Sequence, residues 1–239
     1  LDITGNAQAS QKNENPVSVV FVVDTAPAMR STQKENGYSS TTHTYMYYAQ
    51  NAMKLLAQKI LNQDSRNQIA VVDFAASHWA YGGETPYNDA WVHQSWTGDQ
   101  DTAMDAINSL EIKTNGYWNG EWYNGLTYNS NWEAGFRTAK ELFDGTSGVP
   151  NAGNDTVVIL LSDGRTESRY RPEDGVSDSN TYWNAYGTRP YQDFALPKLK
   201  ELLDLAGARF QSVSVYEGSE RNLVAQQDAP SNEVYTRMY

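Results

Sequence analysis

The stretch from Val17 to Asp24, VSVVFVVD, constrains the fold more than any other part of this chain. A run of mostly β-branched and aromatic residues is typical of a strand buried in a parallel sheet. In open α/β sheets, ligands bind at the carboxyl ends of the strands. Asp24 stands at such an end, and the following residues, TAPAMR, predict a turn and the start of a helix. The stretch therefore predicts a carboxylate at a ligand-binding edge.

Further strands and helices alternate along the chain. Strands are predicted at residues 68–74, 156–161 and 210–215, and helices at 44–61, 101–110, 131–143 and 194–205. We expect an irregular hairpin within residues 80–97 and long loops at 115–129 and 165–191. This alternation predicts an α/β fold in which a doubly wound, mainly parallel central sheet is flanked by helices.

The first sixteen residues differ in composition from the rest. Residues 1–16 are polar, and we expect a linker or the end of a neighbouring domain there, with a single domain over residues 17–239. Because the sequence opens with Leu1 and not with methionine, we expect a mature or excised fragment. No apolar run approaches the ~20 residues that span a bilayer, so we expect no membrane insertion.

Charge and motif content narrow the function classes. The chain has 18 Lys and Arg against 29 Asp and Glu, a formal net charge of −11, which argues against a nucleic-acid partner. It has no cysteine, which excludes disulfides, zinc–thiolate sites and thiol nucleophiles. Phosphate-binding glycine loops and the GxSxG nucleophile motif are also missing from the sequence. We therefore expect a recognition domain and not an enzyme.

Two strand ends carry the candidate chemistry. Asp24 closes the first predicted strand and Asp163 closes the third, so parallel strands would bring both carboxylates to one edge. Hard divalent cations prefer such oxygen ligands, together with hydroxyls and water. Ser130, just before the helix predicted at residue 131, could add a hydroxyl. It could equally cap that helix, with Glu133 completing a capping box.

These residues resemble the motifs of the von Willebrand factor type A domain family. The first family motif, Asp-x-Ser-x-Ser, is similar to the segment that begins at Asp24, DTAPAM. The second is similar to SNWEAGF, which begins at Ser130, and the third to VVILLSDGRTE, which contains Asp163. The resemblance covers roughly residues 17–239. The opening LDITGNAQ is similar to the lead-in of type A domains in Gram-positive surface and pilus proteins.

The resemblance implies a metal-ion-dependent adhesion site. Asp24, Ser130 and Asp163 would hold Mg²⁺ or Mn²⁺, and a carboxylate of the ligand would complete the coordination. Ala26 and Ala28 stand where the family has two direct hydroxyl ligands, so the site is expected to be weakened or disabled. Either the domain is naturally degenerate, or two serines were removed deliberately. The sequence leaves both explanations open.

The resemblance also implies an extracellular role at the bacterial cell surface, on the cell wall or a pilus. The domain would recognise a host or matrix protein and contact other domains of the same protein. The alternative is a structural or interaction module that works without metal. Aromatic residues in polar loops predict a ligand surface, for which the candidates are Trp118, Trp122, Tyr123, Tyr182 and Trp183. The other interpretation of these rings is that they pack a long ordered loop onto the domain.

Overall fold

The structure, a computed structural model, describes residues 15–34, 42–75, 89–113, 115–118, 121–124, 130–163 and 195–214. For residues 33–34, 115–118, 121–124 and 213–214 it describes the backbone alone. The strands are β1 Val17–Asp24, β2 Thr32–Lys34, β3 Thr42–Thr44, β4 Gln68–Phe74, β5 Ala90–Thr97, β6 Asn115–Trp118, β7 Glu121–Asn124, β8 Asp155–Ser162 and β9 Arg209–Ser214. The helices are α1 Tyr45–Leu61, α2 Gln100–Asn108, α3 Trp132–Lys140 and α4 Leu196–Ala206.

Five strands form the central sheet, in the order β5-β4-β1-β8-β9. Strand β1 pairs in parallel with both β4 and β8, and β8 pairs in parallel with β9. Only β5, at one edge of this sheet, runs antiparallel. The sheet confirms the predicted α/β fold with a mainly parallel centre. The central place of β1 explains its composition, because both of its faces are covered and seven of its eight residues are buried.

Helices cover both faces of the sheet. Alternate residues of β1 belong to two separate apolar clusters, as the two-residue period of a strand requires. Val20 and Val22 pack with the face covered by α3 and α4, and Phe21 packs with the face covered by α1 and α2. Gly135 of α3 allows close packing, because a Cβ there would lie 2.8 Å from Cδ1 of Phe74.

Two hairpins lie outside the central sheet, and the sequence patterns did not predict them. Strands β2 and β3, which lie between β1 and α1 along the chain, pair with each other in antiparallel orientation. The predicted long loop at 115–129 is wrong in part, because β6 and β7 pair there as an antiparallel ribbon. Its strands are rich in Tyr and Trp, which favour strands, and Asn119-Gly120 between them is a strong hairpin signal. In the segment 80–97, where an irregular hairpin was expected, Ala90–Thr97 form the edge strand β5, which pairs with β4, and residues 80–88 lie outside the described residues.

Candidate functional site

Asp24 lies at the carboxyl end of the central strand and is completely buried. Its two carboxylate oxygens accept three hydrogen bonds from the protein. The backbone N–H of Ala26 donates to Oδ1 at 2.9 Å. The hydroxyls of Ser130 and Ser162 donate to Oδ2 at 2.5 and 2.7 Å. Hydrogen bonds to a charged acceptor are among the stronger ones in proteins, so these contacts define the centre of the candidate site.

Strand register brings these groups together from distant parts of the chain. Val23 of β1 lies opposite Leu161 of β8, so the next residues of the two strands, Asp24 and Ser162, are level. Side chains of adjacent strands at the same level point to the same face. Ser130 reaches this face from the segment just before α3, which packs against β1 and β4.

Ser130 does not cap α3. The cap is Asn131, whose side-chain oxygen accepts the backbone N–H of Ala134 at 3.1 Å. Glu133 forms an ion pair with Arg137 at 2.7 Å. The N-cap of α3 therefore lies one residue later than the sequence predicted, at Asn131. The Ser130 hydroxyl donates its hydrogen to Asp24.

Asp163 follows β8 directly and is 5% exposed, so two carboxylates share one buried edge of the sheet. Burial, and next the negative charge of Asp163, raise the pKa of Asp24 to about 7. Desolvation and a neighbouring like charge both disfavour the ionised form. The hydrogen bonds from Ser130, Ala26 and Ser162 act in the opposite direction and offset only part of this effect.

The two alanines of the first motif are buried beside these carboxylates. Ala26 is 0% and Ala28 is 4% exposed. Ala28 lies in a short 3₁₀ helix, Pro27–Arg30, which begins directly after Ala26. Their methyl groups offer no oxygen to a cation. In this segment the site gains only the backbone N–H of Ala26, which hydrogen-bonds Asp24.

The remaining donors suit a hard divalent cation in kind. The edge presents the carboxylates of Asp24 and Asp163 and the hydroxyls of Ser130 and Ser162, all of them oxygen atoms, as Mg²⁺ prefers. Within the described part of the chain, no third His, Asp or Glu joins these carboxylates as a metal-holding group. A cation would relieve the repulsion that raises the pKa of Asp24. Water or ligand atoms would have to fill the positions that the alanines leave.

A family profile supports the assignment that the motifs suggest. The profile of the von Willebrand factor type A domain matches residues 19–165, which is more than half of the 239 residues. The chain belongs to this family. The matched range begins within β1 and ends two residues after Asp163, so it contains the motif residues Asp24, Ser130 and Asp163. The comparison with curated proteins gave no match.

Solved structures with a similar fold include proteins of bacterial pili. A mutant of the PilB minor pilin from Streptococcus sanguinis aligns with a TM-score of 0.53 at 13% identity, over 88% of this chain and 52% of that one. The pilus adhesin SpaC from Lactobacillus rhamnosus GG aligns with a TM-score of 0.49 at 14% identity, over 85% and 24%. The vWF domain of the type V pili tip protein Mfa5 from Porphyromonas gingivalis gives 0.43 and 16%, over 67% and 42%.

These likenesses concern the fold. The type A domain described here spans less than half of the Mfa5 structures, since it covers 22% and 42% of their chains. No helix in the described ranges of the chain is long and apolar enough to cross a bilayer.

The structure places the predicted site residues of the type A domain unequally. It brings Asp24 and Ser130 into direct contact and leaves Asp163 buried beside them. The predicted ligand residues Trp118, Trp122 and Tyr123 lie in β6 and β7, where the backbone alone is described. Tyr182 and Trp183 lie outside the described residues. The role of these five aromatic residues stays a prediction.

Sequence reasoning missed Ser162 as a partner of Asp24. The signal was present, since Ser162 precedes Asp163 within the third motif and shares the strand register of Asp24. The hydroxyl became visible as a site residue only once β8 was known to lie next to β1, because that pairing fixes which residues are level.

Asp73 of β4 forms a separate ion pair near the same edge, in which only the carboxylate is buried. Its carboxylate is 1% exposed and lies 3.0 Å from Nζ of Lys113 and 3.5 Å from Nδ1 of His93. Lys113 Nζ also lies 5.0 Å from the ring centroid of Trp91. The backbone N–H of Lys113 donates to the carbonyl oxygen of Thr25 at 2.8 Å. This backbone bond joins the segment between α2 and β6 to the residue that follows Asp24.

Proposed function

We propose that this type A domain is an extracellular adhesion module of a bacterial surface or pilus protein. It would recognise a host or matrix protein at the carboxyl edge of its sheet and would catalyse no reaction. The family membership and the pilus proteins among the fold neighbours support this proposal. The net charge of −11 is in keeping with a protein ligand and not a nucleic acid.

One observation carries the proposal: two buried carboxylates and two serine hydroxyls converge at the edge where α/β sheets bind ligands. Asp24, Asp163, Ser130 and Ser162 would hold Mg²⁺ or Mn²⁺ there. A bound cation would supply a positive centre for an acidic side chain of the ligand. The four side chains would orient the oxygen atoms around the cation, and they would exclude water on the protein side of the site because all four are buried.

A second candidate is recognition without metal. It is favoured by the three hydrogen bonds that the Asp24 carboxylate already accepts from Ala26, Ser130 and Ser162. Both oxygens of Asp24 therefore have hydrogen-bond donors without a cation, and two alanines stand in the motif. In this case, the aromatic segments would bind the ligand alone.

Calorimetric titration with Mn²⁺ separates the two candidates. The chain itself is compared with a variant carrying Ala26→Ser and Ala28→Ser. Two restored hydroxyls should raise Mn²⁺ affinity at least ~10-fold, since each replaces a water in the coordination shell. If neither protein takes up Mn²⁺ at millimolar concentration, the metal-dependent form of the proposal fails. The same titration with Ala26→Ser, Ala28→Ser and Asp24→Asn together is the matched control, and it should abolish the gain.

Binding to immobilised collagen, fibronectin and fibrinogen, with and without EDTA, tests the adhesion role. Loss of binding in EDTA supports the metal-dependent form, and binding that EDTA leaves unchanged supports the second candidate. Trp118→Ala with Trp122→Ala should weaken binding in either case, because aromatic rings supply much of the contact area in recognition surfaces. Unchanged binding would remove β6 and β7 from the ligand surface.

A further inference from the structure

A further buried carboxylate lies next to the candidate site. Asp89 is 0% exposed, and its Oδ2 accepts a hydrogen bond from Nδ2 of Asn131 at 2.8 Å. Across the described residues it does not combine with Asp24 and Asp163 into a metal-holding group. Burying a carboxylate is costly unless it is well bonded. Its position therefore calls for a role other than that of a ligand.

Asp89 is anchored to the central sheet through its backbone. Its carbonyl oxygen accepts the N–H of Ala75 at 2.8 Å, directly after β4. The preceding residue of that strand, Phe74, accepts the N–H of Thr25 at 2.7 Å through its own carbonyl oxygen. Asp89 and the segment after Asp24 are thus attached to the same end of β4.

Asn131 joins this anchor to the start of α3. Its amide oxygen accepts the N–H of Ala134 at 3.1 Å, while its amide nitrogen donates to Asp89. A carboxylate only accepts hydrogen bonds, so it fixes which end of the Asn131 amide faces it. The oxygen then points to the helix terminus. Ser130 is the adjacent residue, and its hydroxyl reaches Asp24 at 2.5 Å.

We propose that Asp89 is a positioning residue that acts through Asn131 to hold Ser130 on the Asp24 carboxylate. The cap of α3 uses only the amide oxygen of Asn131, so the hydrogen bond from its amide nitrogen to Asp89 is not needed for the cap. That bond ties the start of α3 to the end of β4, and hence to the segment that carries Asp24. Residues that position a metal ligand do not touch the metal themselves, yet their mutation typically lowers metal affinity about 10–100-fold.

The first test exchanges the side chains of Asp89 and Asn131, and it rests on the proposed metal site. In the chain with Ala26→Ser and Ala28→Ser, Asp89→Asn should weaken Mn²⁺ binding ~10-fold by calorimetry. Asn131→Asp should weaken it at least as much, because two carboxylates then face each other. The double exchange, Asp89→Asn with Asn131→Asp, rebuilds the pair in reverse and keeps an oxygen for Ala134. It should recover the parent affinity to within about threefold.

The matched control is Asp99→Asn. Asp99 caps α2 by accepting the N–H of Thr102 at 2.8 Å, so the change alters a helix cap away from the site. It should leave Mn²⁺ affinity unchanged. Single exchanges at Asp89 and Asn131 that lower the melting temperature but leave Mn²⁺ affinity within twofold of the parent would overturn the positioning role.

A second test needs no metal and decides the proposal even if no variant binds Mn²⁺. In EDTA, the loss of melting temperature caused by Asp89→Asn is measured in the original chain and in the Ser130→Ala background. If Asp89 acts on Ser130, the loss should be less than half as large once the hydroxyl is gone, because interacting residues are not additive. Equal losses in both backgrounds would overturn the proposal. Absent Mn²⁺ binding alone would count only against the metal-dependent function.

Discussion

Replacing the central carboxylate should make the protein more stable at neutral pH. Burial, and next the negative charge of Asp163, raise the pKa of Asp24 from 3.8 to about 7. Since one pKa unit corresponds to 1.36 kcal/mol, ionising this group in the folded protein costs on the order of 4 kcal/mol. Asp24→Asn keeps the size of the side chain and removes the charge. In EDTA, its free energy of unfolding should exceed that of the parent at pH 8.

The sign of the pH dependence follows from proton linkage. Below pH 3.8 the carboxyl group is protonated in both states, and its ionisation costs nothing. As the pH rises from 3.8 to about 7, the unfolded chain releases the proton while the folded protein keeps it, so the parent loses stability. The stability gain of Asp24→Asn over the parent should therefore grow by about 3 kcal/mol between pH 5 and pH 8.

Urea unfolding of both proteins at several pH values in that range, in EDTA, measures this gain. Comparing the two curves cancels the titration of the groups that do not interact with Asp24. Asp99→Asn is the control, because the pKa of Asp99 is lowered by its bonds to Thr102 and its charge does not change between pH 5 and pH 8. A gain from Asp24→Asn that stays constant with pH, or shrinks as the pH rises, would refute the reasoning that burial and Asp163 disfavour the charged form.

Three further changes test the packing and the ion pair. Gly135→Ala should cost about 1–3 kcal/mol in urea unfolding, because its Cβ would lie 2.8 Å from Cδ1 of Phe74; no loss would mean that α3 shifts freely. Lys113→Met should lower the free energy of unfolding by about 2 kcal/mol, which is less than for a fully buried pair because the Lys113 side chain is 36% exposed. Adding Asp73→Asn should restore most of this loss, because the buried charge is then removed. A double variant as unstable as Lys113→Met alone would contradict this. Thr44→Ala should cost about 1 kcal/mol in thermal unfolding followed by circular dichroism, since its hydroxyl oxygen accepts the N–H of Tyr47 at the start of α1; an unchanged melting temperature would show that this cap contributes nothing.

Local pattern was enough to identify the main elements. The apolar run of β1 was predicted as a buried strand because only a strand covered on both faces uses such a composition, and the structure confirms it. Helix α1 was predicted at 44–61 and is observed at Tyr45–Leu61, with the residue Thr44 as its cap. The hairpin of β6 and β7 was missed, since its polar, glycine-rich composition was taken for a loop.

The sequence by itself determined the fold class, the family and the three motif residues Asp24, Ser130 and Asp163, because strand ends and spaced motifs are properties of the chain order. Only the tertiary structure decided what these residues contact. The structure puts the N-cap of α3 at Asn131 and the Ser130 hydroxyl on Asp24, and the role of Ser162 depended on β8 lying beside β1. The raised pKa of Asp24 likewise arises from burial and from Asp163, 139 positions further along the sequence. Long-range pairing and desolvation set these properties, and neither is encoded in a local pattern.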